Sequence, residues 1–364
     1  MKRRDFIIKT GITSAGLYLA NKALAQSEFL SIKKDKLGIA LVGLGGYATG
    51  QLGPALLETE HCYLAGIVTG TKEKEQKWLD KYEFPEENIY NYDTFDAIAE
   101  NKDIDIVYVV LPNSMHKEYV LRAARAGKHV ICEKPMAISV EDCEEMIQVC
   151  EENKVKLSIG YRMHFDPTTK KLKELAKEKP YGNISVIESE FCFTIGKPDQ
   201  WRLRKEMAGG GALYDIGVYC IQGARYATGE EPVAIWAQEF KTDYEKFKEV
   251  DETITFQMLF PSGAMANCTT SYNAKANRLH ITAGKTPIYL KPAFSYKGVK
   301  GMIGKEVLEF PRVNQQAQHM DNVALSIKTG KNPLVTGDEG MRDMKIMEAI
   351  YKSIKKGEKK VSLG

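Results

Sequence analysis

The sequence predicts an α/β fold: a doubly wound parallel sheet, followed by an α+β domain with an open, mostly antiparallel sheet. Three observations carry that prediction. A chain of 364 residues is too long for one ordinary core and suits two domains. From Leu37 to Gly160, short apolar runs alternate with helical patterns, as a parallel sheet with crossover helices requires. Beyond Phe165 the character changes to longer alternating runs with few crossovers, which favours antiparallel pairing.

The elements follow in order. Strands are predicted at Leu37–Val42, Cys62–Thr69, Ile104–Leu111, His129–Cys132 and Val155–Gly160. The helices of this half are predicted at Tyr47–Glu58, Lys72–Tyr82, Thr94–Asn101, Ser114–Ala126 and Ser139–Asn153. In the second half the pattern gives a helix at Thr168–Lys179, a strand at Ser185–Phe193 and a glycine-led helix at Gly211–Thr228. Alternating strands come next at Val233–Lys241, Thr253–Phe260, Ala264–Ser271 and Leu279–Ala283. Helices return at Gln315–Thr329 and Glu339–Lys355, the last expected to pack back on the first domain. The resulting division is 1–25 a targeting segment, 26–36 an arm, 37–160 the parallel domain and 161–364 the second domain.

Composition, 43% hydrophobic and 27% charged, is that of a soluble globular protein, and beyond the N-terminus no stretch is apolar enough to stop transfer through a membrane. The first residues have the order of a twin-arginine (Tat) signal. Lys2-Arg3-Arg4-Asp5-Phe6-Ile7-Ile8-Lys9 precedes an apolar Gly11 to Ala20 and the small-residue site Ala23-Leu24-Ala25. That segment carries Lys2, Arg3, Arg4, Lys9 and Lys22 against Asp5, so removing it from the formal +3 leaves about −1. A periplasmic protein with no membrane anchor after signal removal is expected. The remaining lysines are dispersed among acids, which excludes a nucleic-acid footprint. Cys62, Cys132, Cys143, Cys150, Cys192, Cys220 and Cys268 lack C-x-x-C spacing and read as buried thiols, though an oxidising compartment permits a bridge. The six histidines show no ligand spacing, so no metal site is expected.

Two segments carry chemistry. Gly43-Leu44-Gly45-Gly46-Tyr47-Ala48 follows the first apolar strand and opens a helix, the context a dinucleotide fingerprint needs. Gly43 permits the tight turn, Gly45 lets the backbone approach a pyrophosphate, and Ala48 keeps helix and sheet close. The helix N-terminus offers amides to the anion. Cys132-Glu133-Lys134-Pro135 ends a later strand and presents an ammonium. Charge also bears on the nucleotide. A site for NAD places an acid about twenty residues past the fingerprint to accept from the ribose hydroxyls. Here Val68-Thr69-Gly70-Thr71-Lys72-Glu73-Lys74 offers a hydroxyl and lysines instead, which predicts NADP over NAD.

These residues, together with Leu111-Pro112-Asn113-Ser114-Met115-His116, Ile159-Gly160-Tyr161-Arg162, Gln200-Trp201-Arg202-Leu203-Arg204 and Gly209 to Tyr219, resemble the glucose-fructose oxidoreductase branch of the Gfo/Idh/MocA oxidoreductases. The resemblance implies a Rossmann domain with a tightly held nucleotide, which fits Tat export of an already folded protein. It places Gly43, Leu44, Gly45, Gly46 and Tyr47 on the nucleotide, and Thr69, Lys74 and Tyr92 at the adenosine phosphate. By the same resemblance Leu111, Pro112, Asn113, His116 and Glu133 surround the nicotinamide, and Trp201, Arg202, Arg162 and Tyr296 also contact the cofactor.

The chemistry implied is hydride transfer from a sugar carbinol, which needs a base for the hydroxyl proton. Tyr219 is the candidate, with the ammonium of Lys134 favouring the phenolate and donating to the substrate oxygen. Asp215, four residues earlier, shares the helix face and either orients the sugar or pairs with Lys134. Many relatives have histidine where this chain has Tyr219. The implied activity is oxidation of a cyclic aldose at C1 to a lactone, with the hydride passing to NADP and on to a second sugar, in a homodimer or homotetramer. The arm of about ten residues between cleavage site and first strand is shorter than the resembled enzyme's, which leaves a dissociable NAD(P) sugar dehydrogenase open. Two other readings are an exported NAD-dependent glycosidase, expected to carry histidine in place of Tyr219, and a non-catalytic nucleotide- or sugar-sensing module.

Overall fold

The structure, a computed structural model, describes residues 35–363. The targeting segment 1–25 and nearly all of the arm 26–36 lie outside the described residues. The first sheet consists of β1 (Leu37–Val42), β2 (Cys62–Val68), β3 (Ile89–Tyr90), β4 (Ile106–Val109), β5 (His129–Cys132) and β6 (Leu157–Ile159). Its order is β3-β2-β1-β4-β5-β6, parallel throughout. The order reverses between β1 and β4, so the crevice for a dinucleotide opens at their carboxyl ends. Central strand β1 is buried on both faces from Gly38 to Val42, which is why it reads as an unbroken apolar run.

Helices α1 (Lys72–Leu79), α2 (His116–Arg125) and α3 (Val140–Glu152) flank this sheet. Ser139 caps α3, its hydroxyl accepting from the Asp142 amide at 3.1 Å. Two predicted helices take other forms. The stretch after β1 is a π turn, Ala48–Leu52, leading into a short α turn, Gly53–Leu56; Pro54 has no N–H with which to continue a regular ladder. Thr94–Asn101 becomes a 3-10 segment, Phe95–Glu100.

The second sheet is built from β7 (Ile184–Cys192), β8 (Ala234–Phe240), β9 (Thr253–Leu259), β10 (Met265–Ser271), β11 (Ala276–Ala283), β12 (Thr286–Leu290), β13 (Gly301–Ile303), β14 (Glu306–Leu308) and β15 (Val361–Ser362). The order β14-β13-β12-β11-β7-β10-β9-β8-β15 is antiparallel at every pair except β7 with β10. Helices α4 (Pro167–Glu178), α5 (Val218–Thr228), α6 (Gln315–Thr329) and α7 (Gly337–Lys355) complete the domain. Alternation along β9, with Ile254, Phe256 and Met258 buried, turns one face to the core and leaves the other open.

Helix α7 packs on β8 and also on α3 of the first domain, as the sequence predicts. Helix α6 crosses back as well, which the pattern did not reveal. Its Met320, Val323 and Ala324 join the core formed by Ile39, Leu41, Leu52 and Tyr108. Asp321 then accepts from the amides of Glu60 at 3.0 Å and His61 at 2.7 Å. All seven cysteines are buried and free, and no helix among the described residues is long and apolar enough to cross a membrane.

Candidate active site

The carboxyl edge of the first sheet assembles the nucleotide cradle. Gly43 ends β1 at φ +92°, and an added Cβ would lie 2.6 Å from the Val110 carbonyl oxygen, so only glycine fits between β1 and the turn after β4. Gly45 and Gly46 are exposed, and a Cβ on either would meet nothing within 4 Å. The turn therefore faces open space, ahead of the buried Ala48 that brings the helical segment onto the sheet. This open backbone beside the switch point fits a dinucleotide pyrophosphate. At the tip of β2, Thr69 is buried, and a Cβ on Gly70 would sit 3.3 Å from the Tyr92 ring. Lys74 lies in the first turn of α1, whose start is Thr71-Lys72. The structure thus brings Thr69, Gly70 and Tyr92 into one corner, with the α1 lysines beside it.

Two elements from opposite domains supply the reactive groups. Lys134 follows β5 directly, on a cis peptide to Pro135. His116 fixes that loop: its ring nitrogens lie 3.0 Å from the Pro135 carbonyl oxygen and 2.9 Å from that of Leu111. Asp215 sits in a π turn, Leu213–Gly217, that runs into α5, and Tyr219 is in the first turn of α5. The Lys134 ammonium donates to Asp215 Oδ1 at 3.1 Å and to the Asp215 carbonyl at 2.5 Å, and lies 5.2 Å from the centre of the Tyr219 ring. The second carboxylate oxygen accepts from Tyr272 Oη at 3.0 Å and pairs with Arg202 Nε at 3.2 Å.

Electrostatics follow from that geometry. Burial would raise the Asp215 carboxyl, but Lys134 and Arg202 overcome it and hold it at about 2. Burial opposes charge on Lys134 too, yet Asp215, Tyr219 and Glu133 together hold its ammonium above the usual lysine range. The pair is a fixed charge arrangement across the working pH range. Glu133 is 7% exposed; burial raises its carboxyl against the hydrogen bond from Tyr108 Oη at 2.8 Å.

With the edge, the cradle and the paired groups in place, the comparisons with known proteins decide the family. The model for the oxidoreductase family with an NAD-binding Rossmann fold matches residues 37–161, and that for the GFO/IDH/MocA C-terminal domain matches residues 169–302. A D-xylose 1-dehydrogenase [NADP(+)] of Haloarcula marismortui is 30% identical over 330 residues, covering 86% of this chain and 90% of its own. The chain belongs to the Gfo/Idh/MocA oxidoreductase family. An aldose-aldose oxidoreductase from Caulobacter crescentus is 44% identical with a TM-score of 0.86, over 90% of this chain and 100% of that one. Levoglucosan dehydrogenase, 20% identical with a TM-score of 0.76, shares the fold.

In this Gfo/Idh/MocA protein several predicted contact residues take supporting places. Arg162 is 2% exposed, and its donors go to Tyr219, Gln315, Phe294 and Ser295, so the guanidinium is engaged within the protein. The fully buried His116 spans two loop carbonyls and so ties the loop that carries Lys134 to the loop after β4. Asn113 donates to the Ala208 carbonyl at 2.8 Å and thereby holds the turn Lys205–Ala208 beneath Arg202. Arg202 stacks on Trp201, 4.5 Å from its ring, while it pairs with Asp215. Tyr296 lies 4.0 Å from the Arg162 guanidinium carbon and 6.0 Å from the Tyr47 ring. Leu44 is buried beside the fingerprint turn, and Leu111 and Pro112 carry the loop after β4.

Sequence reasoning missed Asp251, Tyr272 and Gln315. Asp251 accepts from the amides of Gly211 at 2.7 Å and Leu213 at 2.9 Å, capping the helix that presents Asp215 and Tyr219. Its only sequence signal is an acid at the start of a strand, forty residues from what it caps.

Proposed function

We propose that this chain is a periplasmic, Tat-exported, NADP-dependent sugar oxidoreductase that oxidises a cyclic aldose at C1 to a lactone and returns the hydride to a second carbonyl sugar. The observation that carries it is the meeting of Lys134, Asp215 and Tyr219 at the carboxyl edge of the first sheet. The names of the relatives agree in class: one is an NADP(+) xylose dehydrogenase and one an aldose-aldose oxidoreductase. The tip of β2 supports NADP, since its end is Thr69-Gly70-Thr71-Lys72 without a carboxylate.

Bound NADP supplies the ring carbon that accepts the hydride. The protein's part is to handle the proton and fix the sugar. The Tyr219 phenolate takes the C1 hydroxyl proton and becomes the phenol as the C1–H bond gives up its electron pair, and C1 becomes a carbonyl. Lys134, already fixed by Asp215, donates to the same sugar oxygen. Reduction of the second sugar runs the same transfers in reverse. The exposed face of the second sheet, with Val186, Phe240, Met302 and Val307, supports assembly as a homodimer or homotetramer.

The test is to purify the mature protein without added nucleotide, identify whatever denaturation releases, and screen aldoses against NADP and NAD. NADP should be recovered and bound more tightly than NAD, and an aldose should increase nicotinamide absorbance with lactone formed in equal amount. Tighter NAD would overturn the cofactor choice. A protein that purifies empty but turns over added NADP would be the dissociable dehydrogenase. Replacing Arg3 and Arg4 by lysine should keep the protein in the cytoplasm.

A further inference from the structure

The reactive oxygen of Tyr219 accepts a hydrogen bond from Arg162 Nε at 3.3 Å. Lys134, by contrast, lies over the ring and is held by Asp215. Arg162 is a buried guanidinium of an unusual kind. Its acceptors are the Gln315 side-chain oxygen at 2.5 Å, the Phe294 carbonyl at 2.8 Å, the Ser295 carbonyl at 3.2 Å, the Met163 sulfur at 3.3 Å and the Tyr219 hydroxyl, and none is a carboxylate. A buried cation is costly unless an anion or strong dipoles compensate it. The groups that accept its hydrogen bonds are neutral, and among them the one able to become an anion is Tyr219, while the Glu133 carboxyl acts on it through space.

The support behind Arg162 is built. Gln315 accepts from Arg162 with its oxygen and donates with its amide to Asp166 Oδ2 at 2.8 Å, so its orientation is fixed. Asp166 in turn caps α4, accepting from the amides of Thr168 at 3.0 Å and Thr169 at 3.1 Å. The Tyr296 and Tyr219 rings lie 4.0 Å and 5.0 Å from the guanidinium carbon and leave it little freedom. A guanidinium has donors and no acceptor. The hydrogen of Tyr219 therefore cannot point at Arg162 and is left for an oxygen on the substrate side.

We propose that Arg162 is a positioning residue for the proton transfer: it aims the Tyr219 hydroxyl at the sugar and faces the phenolic oxygen with positive charge when the proton has left. This rests on the reading of Tyr219 as the acid–base group. It separates two tasks that the sequence assigns to one lysine. Lys134, fixed by Asp215, serves the sugar oxygen, and Arg162 serves the tyrosine oxygen.

The test uses Arg162→Gln, the charge-retaining Arg162→Lys, Tyr219→Phe and the double variant Arg162→Gln/Tyr219→Phe. In protein labelled at the tyrosine ring carbon that bears oxygen, the Tyr219 resonance is assigned by its disappearance in Tyr219→Phe. Arg162→Gln should move that resonance toward the position of a free phenol, with Arg162→Lys between. In aldose oxidation, Arg162→Gln should lower kcat about 30-fold while leaving the KM for NADP within about 3-fold, and should cost less than about 3-fold more in the Tyr219→Phe background. An unmoved resonance, a loss that falls on the KM for NADP, or additive losses in the double variant would overturn the proposal. If the wild type oxidises no aldose, the functional reading fails, and the resonance still decides what Arg162 does to Tyr219. Should Arg162→Gln not fold, Arg162→Lys carries the same comparison.

Discussion

Lys134 owes its usefulness to Asp215, which holds a buried ammonium charged and 5.2 Å from the Tyr219 ring centre. Lys134→Met should lower kcat about 10²- to 10⁴-fold with nucleotide affinity little changed, measured by steady-state rates and NADPH fluorescence. Asp215 also gives stability a pH dependence with a definite sign. Its folded value of about 2 lies below the ordinary 3.8, so the stabilisation is present above about pH 4 and is lost as pH falls through 2. The gap corresponds to about 2 kcal/mol. Urea unfolding at pH 7 and pH 3 should show a smaller loss of stability in Asp215→Asn than in the wild type, the remainder coming from other carboxyls held low, such as Glu339 and Glu252. Lys134, Asp215 and Tyr219 were legible because each lies in a local motif. The Arg162 contact was not, since Gln315, 153 residues away, directs the guanidinium and no pattern links them.

At the scale of elements, the helix that carries Asp215 and Tyr219 begins where two backbones nearly touch. An added Cβ on Gly211 would lie 2.0 Å from the Asp251 carbonyl oxygen. Gly211→Ala must push away the Val250–Glu252 segment and break the Asp251 cap, so it should cost about 1–3 kcal/mol and reduce kcat together with it. Equal denaturation midpoints for variant and wild type would contradict this. The long strands were legible from period and burial: Leu37–Val42 and His129–Cys132 form with the predicted bounds. The strands β12, β13 and β14 were not, because Pro287, Gly301 and Gly304 interrupt segments of only three to five residues. In the same way the two residues of β3 owe their pairing to β2 rather than to any pattern of their own.

For the whole molecule, the two domains are joined by more than the chain. Arg225 of α5, its side chain 4% exposed, pairs with Asp343 at 2.7 Å and Glu339 at 3.2 Å on α7, and with Glu231 at 2.6 Å. Helix α7 meanwhile lies against α3 of the first domain, so this network braces the helix that bridges the two domains. Arg225→Met would leave the buried Asp343 without its cation and weaken the pairing of the partly buried Glu339, and should cost about 3–5 kcal/mol, seen as a lower urea midpoint. The doubly wound sheet and the open second sheet were both legible as fold class. The return of α6 onto the first domain was not, since an amphipathic helix does not announce which domain it covers.

The most direct measurement is a single turnover: NADP-loaded wild type and Tyr219→Phe are mixed with a saturating aldose, and nicotinamide absorbance is followed, with nucleotide occupancy measured in both. Rapid reduction in the wild type and a loss of at least about 10²-fold in Tyr219→Phe at equal occupancy is the predicted result. Equal reduction rates in the two proteins would contradict the assignment of proton transfer to the tyrosine that Lys134 and Arg162 surround.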